Sequence, residues 1–184
     1  MPINFHHQHD STDCGPTCLR IIADYYGKDY SLEYLREQSF IGKDGVSLLN
    51  TKILAEKLGF ETISVKLDTQ TLIDEKPLPC ILHWNQNHFV VLYKIKKQFL
   101  SNHYKFHLAD PAHGKAILNE QEFNKAWLSS LDKMGIALIL SPTDKFYEQE
   151  NISIKNKGFS FLWQYIHPNK KQLILLLFFT FFAG

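Results

Sequence analysis

The hydrophobic pattern of this chain changes once, at Gly59, and the change limits the folds that the chain can adopt. Before Gly59, apolar residues recur three and four positions apart, the spacing that places them on one face of a helix. After Gly59, apolar and polar residues alternate, as they do in a strand with one buried face. Helices followed by strands predict an α+β fold, with N-terminal helices packed on an antiparallel β-sheet.

Three helices are predicted before Gly59. The first opens with the triplet CGP at residues 14–16, where a proline is tolerated because first-turn N–H groups have no intrahelical acceptor, and Gly27 ends it. Ser31 and Ser47 are the expected N-caps of the second and third helices.

Short strands are predicted after Gly59. Residues 63–67 alternate, "CILHW" and "HFVVLYKI" are β-rich runs joined by the turn "NQN", and residues 104–108 alternate until Asp110, where Pro111 should end the strand. The run "GIALIL" is a last, fully buried strand.

A short helix and a polar segment complete this part of the chain. Asn119 and Glu122 have the spacing of a capping box, which predicts a helix through Trp127 before the last strand. The chain becomes polar after that strand, so we expect a domain over residues 1–142 and a linker over residues 143–158.

Residues 159–184 have a different character. They end in an uncharged apolar run over residues 173–183, preceded by Lys170 and Lys171, which would lie on the cytoplasmic side of a membrane. The run is shorter than the roughly 20 residues of a spanning helix. We expect a juxtamembrane segment and the start of a first transmembrane helix in a truncated protein; a buried C-terminal helix is the alternative.

Charge and cysteine content exclude two classes of protein. The formal net charge is +1 and no sustained basic run occurs, so nucleic acid is not an expected partner. Three cysteines without paired spacing indicate a reducing compartment and no disulfide framework. No secretory signal opens the chain, so we expect the soluble part to be cytoplasmic.

Cys14 is a candidate nucleophile, because a helix N-terminus favours the reactive thiolate. His88, at the mouth of a strand after a polar turn, is the candidate general base, and Asp110 at the end of another strand is the candidate group to orient it. Gln8 is the candidate side-chain donor of an oxyanion hole, beside the Cys14 N–H.

The same residues allow plainer roles, which spacing alone leaves open. A helical cysteine or a strand histidine is usually a packed structural residue, as we expect for Cys18, one turn after Cys14. His83 is the rival base, although its place inside "CILHW" favours packing. Asp13 is a rival orienting group, although capping of the first helix is the simpler role.

Other polar and aromatic residues are given no catalytic role. The run "HHQH" at residues 6–9 lacks the separated ligand pairs of structural zinc, so no metal is expected. His107 and His113 flank Asp110 and are interpreted as surface or supporting residues, and Cys80 as core. Trp84 is either a wall of the cleft or a core residue.

Four blocks of this sequence resemble the C39 peptidases, the papain-like cysteine protease domains of bacteriocin-processing ABC transporters. The blocks, in order over about residues 8–140, are Gln8 with "DCGPTCLRIIADYYG", then "GVSLLNTKILAEKLGFE", "PCILHWNQNHFVVLYKI" and "LADPAHG". The resemblance implies a papain-like fold, with Cys14 as nucleophile, His88 as general base, Asp110 as the orienting group and Gln8 in the oxyanion hole.

The resemblance also implies a substrate and a cellular setting. Similar domains cut a leader peptide after Gly-Gly or Gly-Ala while an attached transporter exports the product, so the expected partner is a leader-containing bacteriocin or signalling-peptide precursor. We expect attachment to the bacterial inner membrane, with the peptidase domain on the cytoplasmic side and a homodimer formed through the full transporter. A related domain that binds the export substrate without cutting it is the alternative.

No cofactor is expected in these residues. The nucleotide-binding pattern GxxxxGK[ST] does not occur in them, so ATP is expected only at an ATPase domain elsewhere in such an exporter.

Overall fold

The computed structural model describes residues 3–39, 47–99, 103–129 and 132–151, all within one compact unit, Met1–Ser153. The expected juxtamembrane segment and apolar run lie outside the described residues, as do residues 152–158 of the expected linker. Within the four described ranges, no helix combines the length and hydrophobicity that a membrane crossing requires.

The described chain forms six helices, one 3-10 turn and six strands. The turn is Ser11–Asp13, and the helices are α1 Cys14–Tyr25, α2 Leu32–Gln38, α3 Leu48–Lys57, α4 Thr69–Glu75, α5 Glu120–Trp127 and α6 Asp144–Glu148. The strands are β1 Phe60–Leu67, β2 Cys80–Trp84, β3 His88–Lys97, β4 Tyr104–Asp110, β5 Gly114–Asn119 and β6 Gly135–Pro142. They make one sheet in the order β1-β6-β2-β3-β4-β5, antiparallel throughout.

The predicted α+β fold, with helices packed on an antiparallel sheet, is confirmed. The hydroxyl of Ser31 accepts the N–H of Tyr34 at 3.1 Å, so this serine caps α2 as expected. Ser47 caps α3 in the same way, through the N–H of Asn50 at 3.1 Å. Gly27, which follows α1, has a φ of 89°, a conformation that glycine adopts without strain.

Three elements were not predicted from the sequence. α4 is short and mostly polar, and β5 is six residues long, so neither shows a clear period. The third, α6, lies in the expected linker, where Phe146 is fully buried and its ring centroid lies 4.3 Å from that of Phe60. The described part of the expected linker therefore packs on the domain, and the rest of the domain division stays a prediction.

The sheet separates two hydrophobic cores. On one face, Ile81, Val91 and Leu138 pack with α1, α2 and α3. On the other face, Leu82 and Leu92 pack with α4 and α5. β2 and the first half of β3 carry buried residues on both faces and form the centre of the sheet, and α1 rests against β3. This packing fixes the start of α1 relative to the start of β3.

Candidate active site

Three elements meet at one edge of the sheet, and each carries a candidate residue at its end. Cys14 is the first residue of α1, His88 is the first of β3 and Asp110 is the last of β4. β3 and β4 are antiparallel neighbours, so the start of one lies beside the end of the other. Residues that are distant in sequence are therefore brought together by the strand pairing.

The imidazole of His88 connects the other two side chains. Its Nε2 lies 2.8 Å from Asp110 Oδ1. The Cys14 side chain, together with Asp110, raises the pKa of His88, so the thiol lies within interaction range of the ring. Because Nε2 faces Asp110, Nδ1 is the ring nitrogen available to the thiol. The side chains of His88 and Asp110 are 18% and 16% exposed, so the pair is shielded from water without being closed off.

Hydrogen bonds outweigh burial in setting the charges of this pair. Burial alone would raise the pKa of Asp110, but donors from His88, the Ala112 N–H and His113 lower it to about 2. Burial would likewise lower the pKa of His88, but its contacts with Asp110 and with Cys14 raise it to about 9. At neutral pH the imidazole is therefore protonated and the carboxylate ionised, the state that stabilises a thiolate beside them.

Gln8 lies next to this group of residues. Its backbone N–H donates to the carbonyl of Pro111 at 3.0 Å, and Pro111 directly follows Asp110. The side chain is partly buried, and its Oε1 is buried with no hydrogen-bond partner. Turning the terminal amide by 180° exchanges its oxygen and its NH2 group, so the NH2 donor of Gln8 can occupy the same position.

The capping role expected for Asp13 is wrong. Its side chain makes no cap hydrogen bond to α1; it is fully buried and pairs with Arg36 of α2, whose Nε donates to Oδ1 at 2.7 Å. Arg36 is not among the candidate residues indicated by the sequence. No local pattern reveals it, because the two partners are 23 residues apart.

The other candidate residues near the site, His83, Trp84 and His113, have packing or supporting roles. The ring of His83 lies 5.3 Å from that of Phe89, and burial lowers its pKa, which favours the neutral, packed role. Trp84 is 8% exposed and belongs to the core. His113 Nδ1 lies 2.9 Å from Asp110 Oδ2, so this exposed histidine supports the carboxylate as the sequence analysis allowed.

The remaining cysteines and N-terminal histidines lie apart from this chemistry. Cys18 and Cys80 are fully buried free thiols. In the described ranges, no three residues with metal-binding side chains cluster as ligands would. His6 instead pairs with Asp24 at 2.8 Å, and the ring of His7 meets that of Phe5 edge-on.

Chemically, the arrangement offers a candidate nucleophile, a candidate acid–base group and a fixed anion. A thiolate at Cys14 can attack a carbonyl carbon, and His88 is within reach to exchange protons with the leaving group. Asp110 keeps the imidazole oriented, as the third member of such a triad does. Acyl transfer through a thioester is the reaction that fits these groups.

Comparisons with known proteins match this chemistry. The sequence model of the Peptidase C39 family matches residues 2–145. The chain is 33% identical over 153 residues to the colicin V secretion/processing ATP-binding protein CvaB of Escherichia coli, covering 82% of this chain and 20% of that protein. It is 35% identical over 130 residues to the lactococcin-G-processing and transport ATP-binding protein LagD of Lactococcus lactis subsp. lactis, covering 68% of this chain and 18% of that protein. The chain thus spans about a fifth of the length of these relatives.

Two solved structures share the fold. A double glycine motif protease from an AMS/PCAT transporter, in complex with the leader peptide, superposes with a TM-score of 0.66 at 30% identity, over 77% of this chain and 93% of that one. The peptidase domain of Streptococcus ComA, a bifunctional ABC transporter, superposes with a TM-score of 0.63 at 32% identity, over 77% of this chain and 100% of that one.

Proposed function

The chain belongs to the peptidase C39 family and is a cysteine peptidase, and we propose that it removes leader peptides of the double-glycine type from peptides destined for export. The observation that carries the proposal is the position of His88, which is hydrogen-bonded to Asp110 and whose pKa is also raised by the Cys14 side chain. The substrate is inferred from the double glycine motif protease of similar fold, which was solved with its leader peptide.

The residues support a two-step mechanism. The Cys14 thiolate attacks the carbonyl carbon of the second small residue, and the Gln8 amide with the Cys14 N–H holds the oxyanion. The C–N bond breaks as His88 Nδ1 gives its proton to the leaving amine. The leader is then bound to the Cys14 sulfur as a thioester. Water then loses a proton to His88 and attacks that thioester, so the leader acid departs and the thiolate returns.

The burial of the nucleophile supports a preference for small residues at the cut. Cys14 is only 5% exposed, so a substrate must bring its carbonyl close to the start of α1. Large substrate side chains on either side of that carbonyl would clash with the residues around Cys14. A Gly-Gly or Gly-Ala pair has at most one methyl group at these positions. We therefore propose that access to the sulfur, rather than a side-chain pocket, selects the cleaved bond.

Membrane attachment and export are proposed from the relatives. CvaB and LagD are named for secretion or transport together with processing and ATP binding, which implies association with a membrane transporter. We propose that this peptidase domain works on the cytoplasmic side of the bacterial inner membrane. Attachment through the apolar run at residues 173–183, dimerisation through the full transporter and ATP use by a separate domain belong to the same proposal.

A cleavage assay tests this function. The 184-residue chain is incubated in detergent with a synthetic precursor that carries a Gly-Gly site, and products are identified by mass spectrometry. We expect one cut after the second glycine, no cut with Cys14→Ala or His88→Ala, and retained activity with the matched cysteine variant Cys80→Ala. A second precursor with Val-Val at the site should stay intact.

The same assay separates cleavage from capture. A wild-type chain that binds the Gly-Gly precursor as tightly as Cys14→Ala does, and leaves it equally intact, would show a substrate-binding domain instead of a protease. Cleavage by Cys14→Ala would contradict the assignment of the nucleophile.

A further inference from the structure

We propose that Arg36 is a positioning residue of the reaction, which holds the turn between Gln8 and Cys14 and so sets the spacing of the two oxyanion donors. The inference rests on the proposed peptidase function. Arg36 touches none of the reacting atoms in the proposed mechanism, and it acts through the carboxylates of Asp10 and Asp13.

The turn is closed by its own two acidic residues. The Asp13 N–H donates to the Asp10 carbonyl at 3.0 Å, and the Asp10 N–H donates to Asp13 Oδ2 at 2.8 Å. The Asp13 carboxylate therefore holds Asp10, two residues after Gln8, and Asp13 itself directly precedes Cys14.

Arg36 stabilises this turn because its positive charge neutralises the carboxylates of Asp10 and Asp13. Its Nε donates to Asp13 Oδ1 at 2.7 Å, and its Nη2 contacts both Asp13 Oδ2 and Asp10 Oδ2. Burial would raise the pKa of Asp13, but Arg36 and the turn N–H groups lower it, so the buried carboxylate is ionised. A buried charge without its partner is strongly unfavourable, so the turn depends on the guanidinium.

Gln8 is fixed from its other side as well. Its N–H donates to the Pro111 carbonyl at 3.0 Å, which ties it to the end of β4 that carries Asp110. Gln8 is therefore held at the Pro111 carbonyl on one side and is connected through the Asp10–Asp13 turn to Cys14 on the other. Arg36 anchors that turn to α2.

The variant Arg36→Lys separates the geometric role of the guanidinium from its positive charge. Arg36→Lys keeps the positive charge beside Asp13 but loses the planar fork that reaches both carboxylates. The turn then relaxes while the electrostatic surroundings of Cys14 stay similar. Peptide cleavage needs the oxyanion donors in place, whereas alkylation by iodoacetamide forms an S–C bond as iodide leaves and creates no oxyanion.

The experiment compares those two reactions in the full chain. We expect Arg36→Lys to lower kcat for the Gly-Gly precursor by about 10- to 100-fold, the range for misplaced catalytic groups, with a small change in KM. The rate of Cys14 alkylation should stay within about twofold, since the positive charge remains. Arg20→Lys is the matched control, because Arg20 faces Asp29 at 3.8 Å, away from the turn. Cys18 and Cys80, fully buried in the fold, should stay unlabelled in every variant that remains folded.

A double variant identifies the path of the effect. If Arg36 acts through the oxyanion donors, Arg36→Lys adds little to the loss already caused by Gln8→Ala. Three results would overturn the inference. The losses from Arg36→Lys and Gln8→Ala could multiply in the double variant, Arg20→Lys could lose as much activity as Arg36→Lys, or the alkylation of Cys14 could fall in parallel with cleavage. A wild-type chain that does not cleave would instead refute the proposed function.

Asp10→Asn covers the case in which Arg36→Lys does not fold. The Asp10 side chain is 68% exposed, so its replacement loosens one end of the contact without stranding a buried charge. We expect the same selective loss of cleavage at a smaller size. Unchanged cleavage by Asp10→Asn would then overturn the inference.

Discussion

Asp110 holds its charge because both oxygens of its carboxylate are hydrogen-bonded. Oδ1 accepts hydrogen bonds from the imidazole of His88 and from the Ala112 N–H at 2.9 Å, and Oδ2 pairs with His113. These donors overcome the cost of burying the carboxylate. Each single residue therefore depends on its neighbours for the protonation state that its role requires.

The alkaline limb of activity should follow His88. The pKa of His88 is raised from 6.5 to about 9. The protonated imidazole therefore contributes fully to the stability of the folded state below pH 6.5, and this contribution is lost as the pH rises through about 9. Over that rise the imidazole loses the proton that the leaving amine needs, and kcat/KM for the Gly-Gly precursor should fall. A pH–rate profile measures this.

Two variants identify the group responsible for that limb. Asp110→Asn removes the anion that favours the imidazolium, so the alkaline limb should move to lower pH. His107→Ala changes a histidine outside the His88–Asp110 pair, so the pH of the alkaline limb should not change. A limb that stays near pH 9 in Asp110→Asn would contradict the assignment to His88.

The three cysteines should differ sharply in alkylation. Burial raises the pKa of Cys80 to about 12 and that of Cys18 well above its usual value, so neither supplies much thiolate near neutral pH. Cys14 interacts with the imidazole of His88, whose pKa of about 9 keeps it protonated near neutral pH. We expect iodoacetamide to label Cys14 first and His88→Ala to slow it, as peptide mapping would show; equal labelling of all three would count against an activated thiolate.

At the scale of elements, the ends of helices decide how the helical layer meets the sheet. Gly27 follows α1 and Gly59 joins α3 to β1, and both have a φ near 90°. Their surroundings differ, because a Cβ at Gly59 would lie 2.5 Å from the backbone nitrogen of Phe146, whereas one at Gly27 would meet nothing within 4 Å. Gly59 thus allows α6 to approach the α3–β1 connection.

This pair of glycines gives a matched test of that approach. Both Gly27→Ala and Gly59→Ala should lose about 1–2 kcal/mol of unfolding free energy to the left-handed backbone. Gly59→Ala should lose about 1–3 kcal/mol more, because the added methyl group overlaps α6. Urea denaturation measures both, and equal losses would show that α6 does not press on Gly59.

At the scale of the whole molecule, the residues after β6 hold the helical layer together. Lys28 Nζ donates to the Tyr147 carbonyl at 2.7 Å, and the Gln149 side chain donates to the Lys57 carbonyl at 3.0 Å. Phe146, in the same segment, is fully buried. The segment after β6 therefore contacts both the loop after α1 and the end of α3.

Removing this segment should weaken the fold without changing the chemistry. Phe146→Ala should cost about 3–5 kcal/mol, the usual range for a buried phenylalanine, and a chain ending at residue 142 should lose at least as much. Tyr147→Ala, at a residue that is 53% exposed, should cost about 1 kcal/mol or less. Thermal unfolding of chains ending at residues 142 and 151 checks this, and equal stability would contradict the role given to α6.

The sequence by itself determined the local structure. The caps at Ser31 and Ser47, the glycines after α1 and α3 and the alternation after Gly59 depend on short-range backbone preferences, which are visible within a few residues. The candidates Cys14, His88, Asp110 and Gln8 were also found from sequence, because each stands at the end of an element or shortly before one, and the C39 resemblance named them together.

Only the tertiary structure decided which of these residues meet and what supports them. The approach of His88 to Asp110 comes from the pairing of β3 with β4, and the partnership of Asp13 with Arg36 spans 23 residues. α6 was missed because a short polar helix is held by the burial of one phenylalanine, not by its own period. Long-range pairing and burial depend on chain packing, and no local spacing records them.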